Sequence, residues 1–391
     1  MNKKIYLCVL VLGACDMRSD PCDDAKTGDA CRWAGTGVQG FNREHPILDR
    51  LESRLNQPTD IVFGPDGRGY IVDWNNHMVR RVEKDQTLTV VMGTLAEGDG
   101  APDMQDRLPV CDAQGWIGTE VALNHPTQAE FGPDGLLYLA SWHNNKIRTL
   151  DPATGMVKTF AGNFYGFAGD GGAACAAVFN QPSALAFGRD GTLYTLDQRN
   201  VRLRSIAPDT TITTLAGDGK AGNIGDGGPM ALAEFGFDTS NTPEVDGGIA
   251  IADNLIYIAD TNNNRVRRIN LDTGIIDCIA GNSAQRGYTG DGGQATLATF
   301  DDPMDMKLGP DGRLYVVDRN NDAVRAIDLT TGVIETVVGN GTICDVAFET
   351  CPDLASARDM QLNHPYGITF DAAGDLYVAD TDNNRIIKVL R

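Results

Sequence analysis

The sequence predicts an all-β fold, a six-bladed β-propeller of four-stranded antiparallel blades. The first supporting observation is a hairpin turn between apolar runs, found as Gly-Pro-Asp-Gly at 64–67, 132–135 and 309–312 and as variants at 188–191 and 371–374. Proline presets φ at the second turn position and glycine accepts the left-handed position, so each turn joins two antiparallel strands. The second is the strand after the turn, which occurs six times, at 70–73, 138–141, 194–197, 257–260, 315–318 and 377–380. The third is that helix-period patterns are too brief for a helix that could cover a sheet.

Each repeat continues with an Asn-rich turn, a third strand such as 265–269, and a fourth strand that ends near Ala-Gly, as at 279–281. Repeats of four antiparallel strands are typical of propeller blades, which bury their faces against their neighbours. The sixth repeat stops after its third strand, whereas residues 31–35 match the fourth strand at 158–162. We therefore expect the N-terminal strand to complete the last blade and close the ring, which leaves no free sheet edge.

The first 14 residues have the features of a signal peptide: two lysines, an apolar run too short to span a bilayer, and small residues at its end. Residues 12–15 also resemble the bacterial lipobox, which implies that Cys15 carries lipid; the alternative is an ordinary signal that ends near a cysteine. We expect residues 15–28 to form a tether and residues 29–391 to form the propeller. The predicted location is the bacterial cell envelope, on its periplasmic or surface side, with the membrane contacted only through the lipid anchor.

The repeats resemble the NHL repeat family. The resemblance rests on the Asn-x-Pro start of strand one, the Tyr-Val-Ala-Asp strand at 377–380, the Asn-Asn-Arg-Ile segment at 383–386 and the Ala-Gly end of strand four, and it covers about residues 29–391. The Gly-Asp-Gly-Gly segments at 169–172, 225–228 and 290–293 resemble those of secreted or surface bacterial members. The resemblance implies the propeller fold but no single activity, because such propellers include binding platforms, sensor ectodomains, RNA binders and a lyase. The formal charge of −20 repels polyanions and argues against a nucleic-acid partner.

An acidic and a basic residue recur seven positions apart across one hairpin of the repeat. The acidic residues that end strand two are Asp73, Asp197, Asp260, Asp318 and Asp380, with Ser141 in blade two. The basic residues of strand three are Arg80, Arg148, Arg204, Arg267 and Arg325, with Ile387 in the last blade. Because a feature repeated in every blade is usually scaffold, we expect charge-assisted pairs rather than a ligand site. Replacing Asp260 by alanine is then expected to lower the melting temperature.

Three loop aspartates, Asp170, Asp226 and Asp291, lie among glycines that permit tight turns. Carboxylate and carbonyl oxygens suit Ca²⁺ or another divalent cation, so these residues are candidate metal ligands. Their spacing lacks the dense Asp-x-Asp pattern of a calcium loop, and the alternative is that each aspartate caps its own backbone. The histidines show no HExxH motif and no metal-ligand spacing, so the sequence does not predict a zinc site.

Strand one runs beside the propeller axis, where crowding favours small residues such as Ala184, Gly248 and Gly367. Some blades instead place polar or charged residues there, and such groups must be paired, hydrated or bound to a ligand. One alternative is a water-filled channel in which the charges pair with neighbours, and the other is a pocket for a small polar ligand or a cation. With the two tryptophans of the rim, the candidate binding residues are Asp60, Gln128, Glu130, Asp305, Lys307, Trp74 and Trp142. Glu130 and Lys307 belong to opposite blades and are expected to face each other.

The cysteines favour an oxidising compartment. Spacing suggests three disulfides without fixing the pairing, and the candidate pairs are Cys344 with Cys351, Cys111 with Cys175, and Cys22 with Cys31. Cys278 is expected to be a buried free thiol.

The predicted function is a binding or interaction module that uses the rim and the central channel, with a protein, a peptide or a small polar ligand as its partner and a monomeric propeller as its form. The alternative is a metal-dependent propeller enzyme, such as a lyase or a lactonase-like hydrolase, with channel carboxylates. Six-bladed lactonases resemble this architecture. The sequence indicates no catalytic residue and establishes no cofactor.

Overall fold

Six antiparallel sheets follow one another in the computed structural model, which describes residues 19–100, 115–281, 285–345 and 351–391. In chain order the strands are β1 (Asp29–Ala34), β2 (Leu48–Asp49), β3 (Pro58–Phe63), β4 (Gly69–Asp73), β5 (Met78–Val82), β6 (Thr87–Gly93), β7 (Trp116–Ile117), β8 (Pro126–Phe131), β9 (Leu137–Ser141), β10 (Lys146–Leu150), β11 (Met156–Ala161), β12 (Pro182–Phe187), β13 (Leu193–Asp197), β14 (Arg202–Ile206), β15 (Ile212–Ala216), β16 (Gly228–Pro229), β17 (Ile249–Ala252), β18 (Leu255–Asp260), β19 (Arg265–Asn270), β20 (Ile275–Ala280), β21 (Pro303–Leu308), β22 (Leu314–Asp318), β23 (Ala323–Ile327), β24 (Ile334–Val338), β25 (Leu354–Ser356), β26 (Ile368–Phe370), β27 (Leu376–Asp380) and β28 (Arg385–Val389).

The helical elements of the described ranges are single 3-10 turns. They are Pro21–Asp23, Trp74–Asn76, Gly118–Glu120, Trp142–Asn144, Ala174–Ala176, Gln198–Asn200, Met230–Leu232, Thr261–Asn263, Ala295–Leu297, Arg319–Asn321 and Ala357–Asp359. None of the helices in the described ranges is long and apolar enough to cross a membrane.

The sheets form the predicted six-bladed propeller. The innermost strands contact one another in a closed circuit, β3, β8, β12, β17, β21 and β26, and β26 contacts β3 again. Each blade continues outward through three further strands in chain order, except that the outer strand of blade six is β1. The all-β fold class and the blade architecture are therefore confirmed.

Four blades carry a short fifth strand that the sequence analysis did not predict. These strands are β2, β7, β16 and β25. Each belongs to a connector between blades and lies at the outer edge of the blade that this connector enters. The connectors of blades three and five make single bridges at the same place, between Ala173 and Thr211 and between Gln294 and Val333. Every connector therefore runs along the outer edge of a blade before it crosses to the axis, and it covers an edge that would otherwise be exposed.

Ring closure follows the prediction. Strand β1 pairs with β28 in antiparallel register, with Ala30 opposite Val389 and Cys31 opposite Lys388. At the end of the pair, the backbone N–H of Gly28 donates to the carbonyl of Leu390 at 2.9 Å. The first strand and the last strand thus form one sheet.

The hydrophobic core lies between blades. One cluster joins Val72 of blade one to Leu139 of blade two, and another joins Tyr257 of blade four to Val316 of blade five; all four side chains are buried. Burying one such large apolar side chain contributes about 1.5–3 kcal/mol. At the axis the packing is tighter still, since a Cβ added to Gly367 would lie 2.3 Å from the carbonyl oxygen of Thr59. This contact explains why strand one needs small residues in some blades.

Two of the predicted disulfides are present, Cys22–Cys31 and Cys344–Cys351, with Cα atoms 5.3 and 5.8 Å apart. Cys175 is disulfide-bonded, but its predicted partner Cys111 lies outside the described residues, so that pairing stays a prediction. Cys278 is a free thiol and is half-buried rather than buried.

The predicted signal peptide and Cys15 also lie outside the described residues. Within the predicted tether, Cys22 is bonded to β1 and Asp20 pairs with Arg50 of the propeller. The second half of the tether therefore lies against the propeller.

Candidate functional site

The polar side chains of strand one join neighbouring blades. Asp60 accepts a hydrogen bond from the backbone N–H of Ala129 at 2.9 Å, and Asp305 accepts one from that of Ile368 at 3.0 Å. Gln128 accepts from Leu185 N–H at 2.6 Å and donates to Asp305 at 2.8 Å. Each acceptor thus satisfies a backbone donor on the next blade, so these buried groups act as connections around the axis.

Glu130 and Lys307 meet across the axis, as expected from their opposite blades. Lys307 Nζ lies 2.9 Å from Glu130 Oε2, and the two side chains are 17% and 29% exposed. The charges of Glu130, Asp305 and Asp60 raise the pKa of Lys307, although burial alone would lower it. The lysine is therefore the cation that balances three carboxylates.

The pKa values of the Asp60 and Asp305 carboxyls are also raised, which favours their neutral forms, whereas the rise at Lys307 favours its charged form. Burial raises the pKa of both groups, and the charge of Asp305 raises the pKa of Asp60 further. The Lys307 ammonium partly offsets these effects on both aspartates. Two alternatives were predicted for this channel, charged side chains that pair with their neighbours and a pocket for a ligand. The observed contacts correspond to the first of them.

The repeated aspartates and arginines form the expected pairs inside the blades. Asp197 is fully buried, lies 3.1 Å from Arg204, and accepts a bond from the backbone N–H of Asn180 in the connector. The other Asp–Arg distances are 3.4 Å for Asp73 and Arg80, 3.6 Å for Asp260 and Arg267, and 3.5 Å for Asp318 and Arg325. Each pair joins strand two to strand three and also holds the connector that enters the blade.

The two exceptions to this pattern are compensated. In blade six, Arg385 stands five residues after Asp380 and lies 2.7 Å from its carboxylate, which makes up for Ile387. In blade two, where Ser141 lacks a charge, Arg148 pairs with Asp99 of the connector.

The loop aspartates bind the same arginines. Asp170 lies 2.8 Å from Arg204, and Asp291 lies 3.0 Å from Arg325. Asp226 contacts both Arg265 and Arg267 at 2.8 Å. An arginine guanidinium therefore already contacts carboxylate oxygens that a Ca²⁺ ion would need. Through these ion pairs the three aspartates are part of the scaffold.

A pocket of about 340 Å³ lies at the mouth of the channel, on the face that carries the Asn-rich turns. We call it the axial pocket. Trp74, Trp142 and Arg319 line it, and each is the first residue of the 3-10 turn that follows strand two of its blade. Because this repeat position faces the axis, its residue type sets the chemistry of the pocket.

The remaining walls come from blades one, two and six and from the irregular connector before blade four. Tyr366, next to Gly367 at the start of strand one, is 7% exposed, and Val245 is 8% exposed. Gln198 holds this connector by donating to the carbonyl of Glu244 at 2.6 Å, and its Oε1 accepts from Trp142 Nε1 at 3.0 Å. Both tryptophans were predicted from the sequence, whereas Tyr366 and Arg319 were not. The variation among blades in the residue that follows strand two was the available signal for the arginine.

Three donors of residues that line the axial pocket lack partners. Trp74 Nε1 and the hydroxyls of Thr59 and Tyr366 are buried and have no hydrogen-bond partner anywhere in the described ranges. An unpaired buried donor costs about 1–3 kcal/mol, so these groups favour a ligand that carries an acceptor. Arg319 adds a cation, which lies 3.0 Å from the exposed carboxylate of Glu244.

A group of imidazoles lies beside this pocket, between blades one and two. His125 contacts His77 and His143 with ring centroids 4.5 and 4.8 Å apart, and Glu97 lies 3.5 Å from His77. Burial and the neighbouring histidines lower the pKa of His125 to about 4. Sequence spacing did not predict this group, because the turn of one blade and the strand-one start of the next are far apart in the chain.

The comparisons with known proteins agree with the fold. Residues 362–388 match the NHL repeat family. The chain is 27% identical over 277 residues to NHL repeat-containing protein 2 of Gallus gallus, a match that covers 63% of this chain and 35% of that protein. The chain spans about a third or less of the length of the curated relatives that it matches first.

Two solved structures share the architecture. A protein of unknown function from Bacteroides thetaiotaomicron has a TM-score of 0.65 at 17% identity, over 92% of this chain and 75% of that chain. An auxiliary nutrient binding protein from the same organism has a TM-score of 0.61 at 13% identity, with the same coverage. At these identities the likeness shows the fold alone.

Proposed function

Starting from a six-bladed propeller that carries an NHL repeat, we propose that this protein is a binding module whose ligand occupies the axial pocket. The observation that carries the proposal is a mostly apolar cavity whose lining residues include Trp74, Tyr366 and Thr59, each with a buried donor that has no partner in the described ranges. Pockets with apolar walls and a few placed polar groups are typical of small-molecule sites. The name of one structural neighbour, an auxiliary nutrient binding protein, is in line with this role.

The chemistry of the walls restricts the ligand. The three unpaired groups are N–H or O–H donors and Arg319 is a cation, so the ligand carries a hydrogen-bond acceptor such as a carbonyl or a carboxylate. Trp74, Tyr366 and Val245 offer apolar surface for its remainder. A small polar molecule, or the side chain of a bound peptide or protein, fits this description.

The proposal extends to the location of the protein. The signal-like first 14 residues, Cys15 in its lipobox-like context and the disulfides support an exported protein that is lipid-anchored in a cell envelope. The binding propeller would then work close to a membrane surface as a monomer. Mass spectrometry of the membrane fraction tests this, because a diacylated Cys15 is expected at the mature N-terminus.

Binding in the axial pocket is favoured over chemistry in the channel. Asp60 and Asp305 already accept backbone hydrogen bonds, and Glu130 already pairs with Lys307. A metal ion or a substrate in the channel would have to displace those partners. The axial pocket instead offers donors that have none among the described residues.

We expect Tyr366→Phe and Trp74→Phe each to weaken ligand binding about ten-fold, because each substitution removes one hydrogen bond. Tyr366→Phe keeps the ring, and Trp74→Phe keeps an aromatic ring of smaller area. Folding stability is expected to stay the same or rise for Tyr366→Phe, since the substitution removes a buried hydroxyl without a described partner. The measurement is a thermal-shift screen of sugars, amino acids and small carboxylic acids, followed by calorimetry of each hit with the wild type and both variants.

Tyr138→Phe is the matched control, because its hydroxyl donates to Asp134 at 3.0 Å outside the pocket. Its affinity is expected to equal that of the wild type. A hit that binds Tyr366→Phe and Trp74→Phe as tightly as the wild type would place the ligand elsewhere and refute the proposed pocket.

A further inference from the structure

We propose that His77, Glu97 and His125 form a binding site for a divalent transition metal ion, such as Zn²⁺, on the rim between blades one and two. This inference is independent of the ligand proposed for the axial pocket. It rests on the position of side chains that the repeat brings together from three segments: the turn after β4, the connector after β6, and the start of β8.

The geometry suits a small ion. The candidate ligand atoms of the three residues all lie within 4.8 Å of one another. Ligand atoms of a tetrahedral zinc ion stand about 2 Å from the metal and therefore roughly 3.4 Å from each other. Glu97 already lies 3.5 Å from His77 Nε2, and its carboxylate is 61% exposed and free of tight packing. Small side-chain movements would complete the site.

The donor set selects the kind of metal. Two imidazoles and one carboxylate suit Zn²⁺ and its neighbours among the transition metals, whereas Ca²⁺ and Mg²⁺ prefer oxygen ligands alone. His143 Nδ1 lies 3.0 Å from His125 Nδ1, so a third imidazole stands beside the group. Three protein ligands leave a coordination position open to water or to a bound molecule.

Hydrogen bonds already orient one of the rings. His125 Nδ1 lies 2.6 Å from the side-chain oxygen of Asn124, which fixes the ring plane. Metal-bound histidines commonly use their second nitrogen in this way. The oxygen accepts the ring proton, and the other nitrogen of the neutral ring then carries the lone pair that a metal ion needs.

His77 has a structural role in the metal-free protein. Its Nδ1 accepts the backbone N–H of His125 at 3.2 Å, so its ring proton lies on Nε2, towards Glu97. Metal binding through Nε2 moves this proton to Nδ1 and gives up the bond from His125. The ring stays neutral, no proton is lost, and the affinity is lower than that of a fully prearranged site.

The repeat itself provides a variant that separates the two roles of His77. In other blades the same position is Asn145, Asn264 or Asn384, and its side-chain oxygen accepts the N–H at the start of the next blade at 2.9–3.0 Å. His77→Asn therefore keeps the connection between blades and removes the ring ligand. Its melting temperature is expected to match that of the wild type.

The test is calorimetry of the full chain, purified without a histidine tag, with Zn²⁺ and with Co²⁺. We expect one ion per molecule, and at least about ten-fold weaker binding for His77→Asn, His125→Ala and Glu97→Gln. The near-ultraviolet spectrum of the Co²⁺ form should lack a thiolate charge-transfer band, and Cys278→Ser should bind as the wild type does. His45→Gln is a further control, because His45 is exposed and lies outside the group.

Absence of saturable binding to the wild type would overturn the proposal. Equal affinity of His77→Asn and the wild type would also overturn it, because that variant preserves the fold. Loss of binding in Cys278→Ser would assign the ion to the free thiol instead and would likewise exclude the histidine site.

Discussion

Replacing Asp380 by alanine is expected to lower the free energy of unfolding by about 3–5 kcal/mol, the usual cost of removing one partner from a buried ion pair. Asp380 is fully buried, and its carboxylate accepts from Arg385 at 2.7 Å and from the backbone N–H of Asn363 at 2.7 Å. Arg385 is 1% exposed and has no second carboxylate partner in the described part of the chain. The substitution therefore leaves a buried guanidinium charge without a counterion. Urea unfolding followed by tryptophan fluorescence measures the loss.

Asp260→Ala is the matched control for this prediction. In that blade Asp226 lies 2.8 Å from both Arg265 and Arg267, so a carboxylate remains after the substitution. We expect Asp260→Ala to lower stability by clearly less than Asp380→Ala. Equal losses would show that the connector hydrogen bonds, which the two sites share, carry the effect, and a wild-type unfolding curve for Asp380→Ala would refute the ion-pair account.

Lys307→Met is expected to lower the free energy of unfolding by about 3 kcal/mol at pH 7. The substitution keeps an unbranched side chain, one heavy atom shorter, and removes the cation that faces Asp60, Glu130 and Asp305 in the channel. Burial already raises the pKa of both aspartates, and Lys307 holds those values down. Without the lysine the pKa of each aspartate rises further.

The loss should depend on pH with a definite sign. A carboxyl whose pKa is higher in the folded than in the unfolded state makes a contribution to stability that is complete below the unfolded value and is lost as pH rises through the folded value. The raised pKa values of Asp60 and Asp305 already give the wild type part of this loss of stability at higher pH, and Lys307→Met makes the loss larger. The difference between the two proteins should therefore shrink as pH falls from 7 towards 4.

A double variant tests the same charges. Glu130→Gln combined with Lys307→Met removes both members of the 2.9 Å pair, so it should recover part of the stability that Lys307→Met loses. Chemical unfolding of the four proteins between pH 4 and pH 8 provides the cycle. Strictly additive losses, or a loss that does not change with pH, would contradict the assignment of Lys307 as the balancing cation.

The sequence predicted those features of the fold and of the channel that follow from comparing one repeat with another. The turns at 64–67 and 309–312 and the aspartates at the end of strand two predicted the blades, and residues 31–35 predicted the closing strand. The channel residues were also found this way, because Gly367 shows what the axis accepts and Asp60 departs from it. When every blade has the same shape, residues at the same position of the repeat lie at equivalent places in the propeller.

The remaining features depend on contacts between segments that the repeat does not align. In blade six, Arg385 takes the role of the missing arginine, although it lies two residues earlier than the arginines of the other blades. A search at the fixed offset from the aspartate therefore does not find it. Tyr366 stands where blades one to three have the smaller hydroxyl residues Thr59, Thr127 and Ser183. Connectors of unequal length bring Val245 and Glu97 to their neighbours. Such contacts are set by packing across blades, so only the structure could reveal them.

The pairing of β1 with β28 has a consequence for how the chain folds. Cys31 and Lys388 are 357 residues apart, and closing a loop of that length costs about 5 kcal/mol of chain entropy. Contacts of such high sequence separation slow folding, and here β1 must wait for a strand that is synthesised after blades one to five. Until β28 is available, β1 has an unpaired edge that can associate with other chains. Aggregation during biosynthesis should therefore respond to changes in the first and last strands more than to equally destabilising changes in blades two to five.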